Sequence, residues 1–85
     1  MAVTDAQIEA TILDLLAQRD PGKTICPSDA ARALADDFRP LMAPVRRVAR
    51  DLVARGEIEV TQKGRVVDID AARGAIRLRR SSRRS

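Results

Sequence analysis

The chain has 85 residues and a net charge of +4, from 16 lysines and arginines against 12 acidic residues. A domain of this size buries only about 60–65% of the surface that its unfolded chain exposes, so one small core is expected. One aromatic residue, one cysteine and no histidine argue against base stacking as a main binding mode, an internal disulfide and a structural zinc site.

Targeting and catalytic signals are both missing from the sequence. No apolar run approaches the roughly 18–20 residues of a membrane span, and the N-terminus lacks the pattern of a signal peptide. With a single cysteine, a reducing, cytoplasmic setting is expected. Without a nucleophile and base or a phosphate-binding glycine loop, we expect no enzymatic activity and no cofactor.

Positive charge is concentrated in the second half of the chain. Residues 1–42 carry 4 basic and 7 acidic side chains, a net of −3, whereas residues 43–85 carry 12 basic and 5 acidic, a net of +7. A local excess of this kind is typical of proteins with a negatively charged partner.

The first helix is predicted over residues 5–19. The stretch from Thr4 to Gln7 has the form of a capping box, in which each end hydrogen-bonds the backbone of the other. Apolar residues at helical spacing follow, and Pro21 and Gly22 end the run because proline cannot continue the helical ladder.

A short extended segment and a second helix come next. Residues 23–26 lie between prolines and are predicted to be extended and to pair with a later hairpin. Ser28 is expected to cap a helix from Asp29 to about Ala35, and residues 36–40 form the following turn.

Helix 3 is predicted from Met42 or Ala43 to Arg55, with Gly56 suited to the left-handed cap. At 3.6 residues per turn an apolar stripe faces a charged arc; the stripe holds Leu41, Val45, Val48 and Leu52, and the arc holds Arg46, Arg47, Arg50 and Asp51. Three helices with a short turn between the last two predict a helix-turn-helix whose third helix would enter a DNA major groove.

A β-hairpin, or wing, is predicted after helix 3. Residues 57–62 and 65–70 alternate as strands around Lys63 and Gly64. The inward pairs are then Ile58 with Ile69 and Val60 with Val67, and the outward pairs are Glu57 with Asp70 and Glu59 with Asp68. Because like charges that face each other are unfavourable, we expect Arg77 and Arg79 to lie against these acids.

The predicted fold class is therefore α+β, a winged helix-turn-helix domain over residues 1–79 with a possible short extra strand. Residues 80–85 carry nothing apolar to bury and are predicted to be a disordered basic tail.

Six segments carry a resemblance to a known family; they are the run from Gly22 to Leu34, Leu41-Met42, Val45-Arg46, Gly56-Glu57-Ile58, Gln62-Lys63-Gly64 and the run from Arg73 to Arg79. Together they resemble a family of small bacterial domains of unknown function, and the likeness extends from helix 1 to Arg79. The resemblance implies a winged-helix fold, with no established activity and no assigned site.

The residues themselves favour double-stranded DNA as the partner. Arginines on helix 3 reach base edges or phosphates in a major groove, cations at the wing tip contact the backbone, and the tail attracts any polyanion. The predicted site residues are, in that order, Arg46, Arg47 and Arg50; Lys63 and Arg65; Arg80, Arg83 and Arg84.

Other interpretations stay open. The helix 3 arginines can form a solvated face, and the wing-tip cations can simply discourage edge pairing. A winged helix can also dock a protein, here through Phe38, Leu41 and Met42. Cys26 is expected to be a small buried residue, although its place before a helix also suits a reactive thiol.

Overall fold

The structure, a computed structural model, describes residues 3–20 and 22–81. Three helices precede a three-stranded antiparallel sheet with strand order β2-β1-β3. The elements are α1 Asp5–Ala17, α2 Pro27–Leu34, α3 Met42–Ala54, β1 Ile58–Gln62, β2 Arg65–Val66 and β3 Arg77–Arg80, with a 3-10 turn at Arg39–Leu41 before α3. This α+β architecture is consistent with the predicted winged helix.

Helix α1 begins with the predicted capping box. The Thr4 amide donates to Gln7 Oε1 at 2.8 Å, and the Gln7 amide donates to Thr4 Oγ1 at 3.1 Å. The helix buries Ile8, Ile12 and Leu16 and ends at Ala17, two residues before the predicted end.

Helix α2 begins earlier than predicted. Cys26, not Ser28, is its N-cap residue, and the Cys26 amide donates to the Asp29 carboxylate at 2.9 Å. Pro27 therefore occupies the first helical position, where its fixed φ and missing N–H are tolerated. Cys26 itself is only partly buried.

Helix α3 has the predicted start and orientation and ends at Ala54, one residue before the predicted end. Its buried side chains are Val45, Val48, Ala49 and Leu52. Gly56 has a φ of 75°, so the left-handed conformation that ends the helix falls on the residue best suited to it. One cluster of buried side chains joins all three helices to β1 and β3.

The tip of the wing has the predicted register. Gln62 pairs with Arg65 and Thr61 with Val66, and the Val67 amide donates to the Val60 carbonyl at 2.9 Å. Lys63 and Gly64 have φ of 51° and 81°, as in the two-residue type I′ turns that match the twist of a hairpin.

The predicted length of the second strand is wrong, because β2 ends at Val66. The Asp68 carboxylate accepts a hydrogen bond from the Asp70 amide at 2.9 Å, and the Asp68 carbonyl accepts from Ala71 and Ala72. An aspartate that bonds the backbone two residues ahead stabilises a turn in competition with a strand. The expected pairing of Ile58 with Ile69 does not form. Glu57 and Glu59 therefore do not face Asp70 and Asp68 across a pair of strands.

Strand β3 occupies the other side of β1, with Val60 opposite Leu78 and Ile58 opposite Arg80. The short extended segment pairs with β3 and not with the hairpin, through a single bridge between Ile25 and Leu78. The predicted tail begins too early, since Arg80 ends β3 and the Ser81 amide donates to the Glu57 carbonyl at 3.2 Å. The predicted tail residues Arg83 and Arg84 lie outside the described residues.

Within residues 3–20 and 22–81, no helix is long and apolar enough to cross a bilayer.

Candidate nucleic-acid interface

Residues 67–76, here called the connecting loop, link the outer face of α3 to the wing. Near the start of the loop, Asp70 Oδ1 lies 2.6 Å from Arg50 Nε on α3. Near its end, the carbonyls of Arg73 and Ala75 accept hydrogen bonds from Gln62 Nε2 at 2.6 and 3.1 Å. Because Gln62 immediately precedes the wing turn, the loop contacts both α3 and the base of the wing tip.

The arginines of α3 differ in their partners. Arg47 Nη2 lies 2.7 Å from Asp5 Oδ1 at the start of α1, and Arg50 pairs with Asp70 in the connecting loop. Arg46 is partly buried and forms no ion pair with any residue that the structure describes. The arc predicted on helix 3 is thus largely exposed, but two of its three guanidinium groups already contact carboxylates.

Three cations lie at or beside the wing tip. Lys63 lies in the turn and Arg65 directly follows it, and both are exposed; Arg73 is exposed too, and its carbonyl accepts a hydrogen bond from Gln62, the residue before the turn. Within the described ranges, none of the three has an acidic partner. We name Lys63, Arg65 and Arg73 the tip cations.

Arg73 was missed by the sequence reasoning. The alternation over residues 65–70 predicted a strand, and a strand of that length carries residue 73 away from the tip. The signal that could have placed it is Asp68 followed by Asp70, because aspartates favour turns over strand interiors. Gly74, with a φ of 83°, lets the chain bend again directly after Arg73.

The acids of the wing are mostly neutralised by arginines. Glu59 Oε1 lies 2.9 Å from Arg79 Nε, which confirms the expected position of Arg79. Glu57 lies 3.5 Å from Arg55, and Asp70 pairs with Arg50. Three of these carboxylates are therefore each close to a compensating positive charge.

The expected position of Arg77 is wrong. Its guanidinium donates to Thr24 Oγ1 at 2.9 Å and to the Thr24 carbonyl at 3.3 Å, and also contacts Cys26 Sγ. Arg77 contacts the extended segment before α2 because that segment pairs with the neighbouring residue Leu78 of β3.

Arg55 joins three elements at the end of α3. Its guanidinium contacts Glu9 on α1 and Glu57 before β1. The hydrogen bond with Glu9 raises the pKa of Arg55 above its usual value; partial desolvation opposes this rise, and the charges of Glu9, Glu57 and Asp51 add to it. Arg55 is therefore held by the fold and is not part of the tip.

The predicted tail residue Arg80 is separate from this surface. It pairs with Ile58, at the end of β1 remote from the turn, and its Nη2 donates to the Arg19 carbonyl at 3.3 Å. The structure therefore does not bring Arg80 together with the tip cations.

The apolar residues considered for protein docking are packed against the core. Phe38, Leu41 and Met42 are each partly buried, and the Arg32 guanidinium lies 4.6 Å from the centroid of the Phe38 ring. Among the described residues, the large apolar side chain that is clearly exposed is Val66, next to the wing tip.

The family model described as "Protein of unknown function (DUF3253)" matches residues 5–81. The chain belongs to this family. The match to DUF3253 covers every helix and strand from α1 to β3, as well as the connecting loop and the tip cations. The description of DUF3253 assigns no activity, and no curated protein matches the chain.

Proposed function

We propose that this protein binds double-stranded DNA, with the tip cations on the phosphate backbone and α3 directed into the major groove. The observation that carries the proposal is the pairing of charges around the wing. The tip cations have no acidic partner within residues 3–20 and 22–81. In contrast, Glu57, Glu59 and Asp70 each contact an arginine. Unpaired cations beside neutralised acids favour a polyanionic partner.

The exposed surface of α3 suits close approach to a groove. Besides Arg47 and Arg50, the helix exposes the short side chains of Ala43 and Ala54 and the carboxylate of Asp51. Arg46 and Arg50 lie on this surface and can donate paired hydrogen bonds to a guanine edge or a phosphate. Arg83 and Arg84, outside the described residues, would add attraction without sequence preference.

Protein docking through Phe38, Leu41 and Met42 has less support. These side chains are already packed against the core, so little apolar surface is left for a partner to bury. An apolar contact would also depend only weakly on salt, whereas DNA binding weakens steeply with salt.

Fluorescence anisotropy of a labelled random duplex tests the proposal. The test variant is Lys63→Ala/Arg65→Ala/Arg73→Ala, and the matched control is Arg19→Ala/Lys23→Ala/Arg39→Ala, which also removes three exposed cations. If Arg46 and the tip cations contact four phosphates, wild-type affinity falls on the order of a hundredfold between about 50 and about 200 mM salt.

We expect the test variant to lose most binding at about 50 mM salt and the control to lose little. No binding by the wild type at that salt would contradict the proposed function. Equal losses in both variants would mean that the tip is not the site.

A further inference from the structure

Two exposed ion pairs tie α3 to other parts of the molecule. Arg47 contacts Asp5 in the first turn of α1 at 2.7 Å, and Arg50 contacts Asp70 in the connecting loop at 2.6 Å. Both acceptors are carboxylates, the protein group that most resembles a phosphate oxygen pair as a partner of arginine. Asp70 thus holds Arg50, which the DNA-binding proposal places at the interface, and Asp5 holds Arg47, which is exposed on the same helix.

These two pairs are more exposed to solvent than the ion pairs of Arg55 and Arg79. The side chains of Arg47 and Arg50 are 53% and 56% exposed, and both acids are 60% exposed. In the Arg79–Glu59 pair the exposed fractions are only 27% and 16%. A phosphate can therefore reach Arg47 and Arg50 without unfolding any element, and exposed pairs are weak enough to exchange.

We propose that Asp5 and Asp70 compete with DNA phosphates for Arg47 and Arg50 and so lower the affinity of the protein for DNA. This inference rests on the proposed function. In the free protein the two acids hold the guanidinium groups and cancel their charge. When a duplex docks, its phosphates displace the acids, so part of the binding free energy is spent on breaking the two pairs.

The competition predicts a change in salt dependence as well as in affinity. In the wild type each displaced carboxylate takes up a cation, which offsets the counterion that the phosphate releases; removal of the acid removes this offset and steepens the slope of log K against log salt by up to about 0.9. The gain in affinity per released arginine is then about three- to fourfold larger at about 50 mM salt than at about 200 mM. Loss of an acid at a distance from the interface has no effect on the slope.

The experiment compares Asp5→Asn, Asp70→Asn and the double variant with Asp14→Asn and Asp36→Asn as controls. Each single variant removes one exposed negative charge, so net charge is matched. Asp14 and Asp36 form no ion pair with the described residues. Binding is measured by anisotropy with the full chain and one labelled duplex of about 15 base pairs, and melting temperatures report that each variant is folded.

We expect tighter binding and a steeper slope in Asp5→Asn and Asp70→Asn, and changes of less than about twofold in the controls. Adding Arg47→Ala and Arg50→Ala to the double variant should abolish the gain, because the released groups are then absent. If the site variants bind like the controls while the wild type still binds DNA, the competition is overturned and the proposed function stands. If none of the proteins binds, both fail.

Discussion

Ile25 and Leu78 exchange two backbone hydrogen bonds, with N···O distances of 2.8 and 2.7 Å. Both side chains are buried, with 2% and 0% of their surface exposed. Ile25 lies between α1 and α2, whereas Leu78 lies in β3, which pairs with the first strand of the wing. This bridge therefore fixes the wing, and with it the tip cations, relative to the helices.

Replacement of Leu78 by alanine should destabilise the whole fold. The change leaves a cavity where β3, the extended segment and the core meet, and we expect a loss of about 2–5 kcal/mol in the free energy of unfolding. Urea denaturation measures it. Val66→Ala is the control, since Val66 is 57% exposed and its truncation should cost less than about 0.5 kcal/mol. Similar losses in the two variants would contradict the assigned core.

Gly64→Ala should weaken the wing turn through backbone conformation alone. A side chain at this position meets no atom within 4 Å, but the φ of 81° is unfavourable for alanine. We expect a cost of about 1–2 kcal/mol, measured by thermal or urea unfolding. An unchanged stability would mean that residue 64 does not hold a left-handed conformation in solution.

Lys63→Asn separates the charge of the tip from its shape. Lys63 has a φ of 51°, and asparagine followed by glycine is a preferred sequence for this turn. Stability should therefore be kept or slightly raised. Binding to a labelled duplex should weaken, with a salt slope shallower by about 0.9. Unchanged binding would remove Lys63 from the proposed interface.

Arg55→Met should lower the melting temperature by a nearly constant amount between about pH 6 and about pH 9. The pKa of Arg55 is raised in the folded protein, chiefly by its hydrogen bond with Glu9. A raised pKa stabilises the fold at all pH values below the unfolded pKa, and this stabilisation is lost only as pH rises through the folded pKa, which lies well above this pH range. A gap between wild type and variant that closes by pH 9 would contradict this assignment.

Much of the fold could be predicted because local chemistry marks the ends of its elements. The capping box at Thr4, the glycine after α3 and the Lys63-Gly64 turn each depend on residues close in sequence. The end of β2 is not predicted for a related reason: residues 65–70 alternate like a strand, but the Asp68 carboxylate accepts a hydrogen bond from the Asp70 amide and so stabilises a turn.

The candidate site was less predictable because its charges are paired across the fold. Asp5 and Arg47 are 42 residues apart in sequence, so no local pattern indicates that they meet. Arg73 joins the tip only because the connecting loop folds back on Gln62. Periodicity could place arginines on the outer face of α3, but it could not tell which of them already had a partner.

The position at which a duplex contacts the protein tests most directly whether DNA binds through the wing and α3. Amide chemical shifts of the ¹⁵N-labelled chain, recorded at low salt with increasing amounts of a duplex of about 15 base pairs, give this position residue by residue. We predict that the largest changes fall on residues 62–66, on residues 72–75 and on the exposed face of α3. Changes centred on residues 38–42, or no changes at all, would contradict DNA binding through the wing and α3.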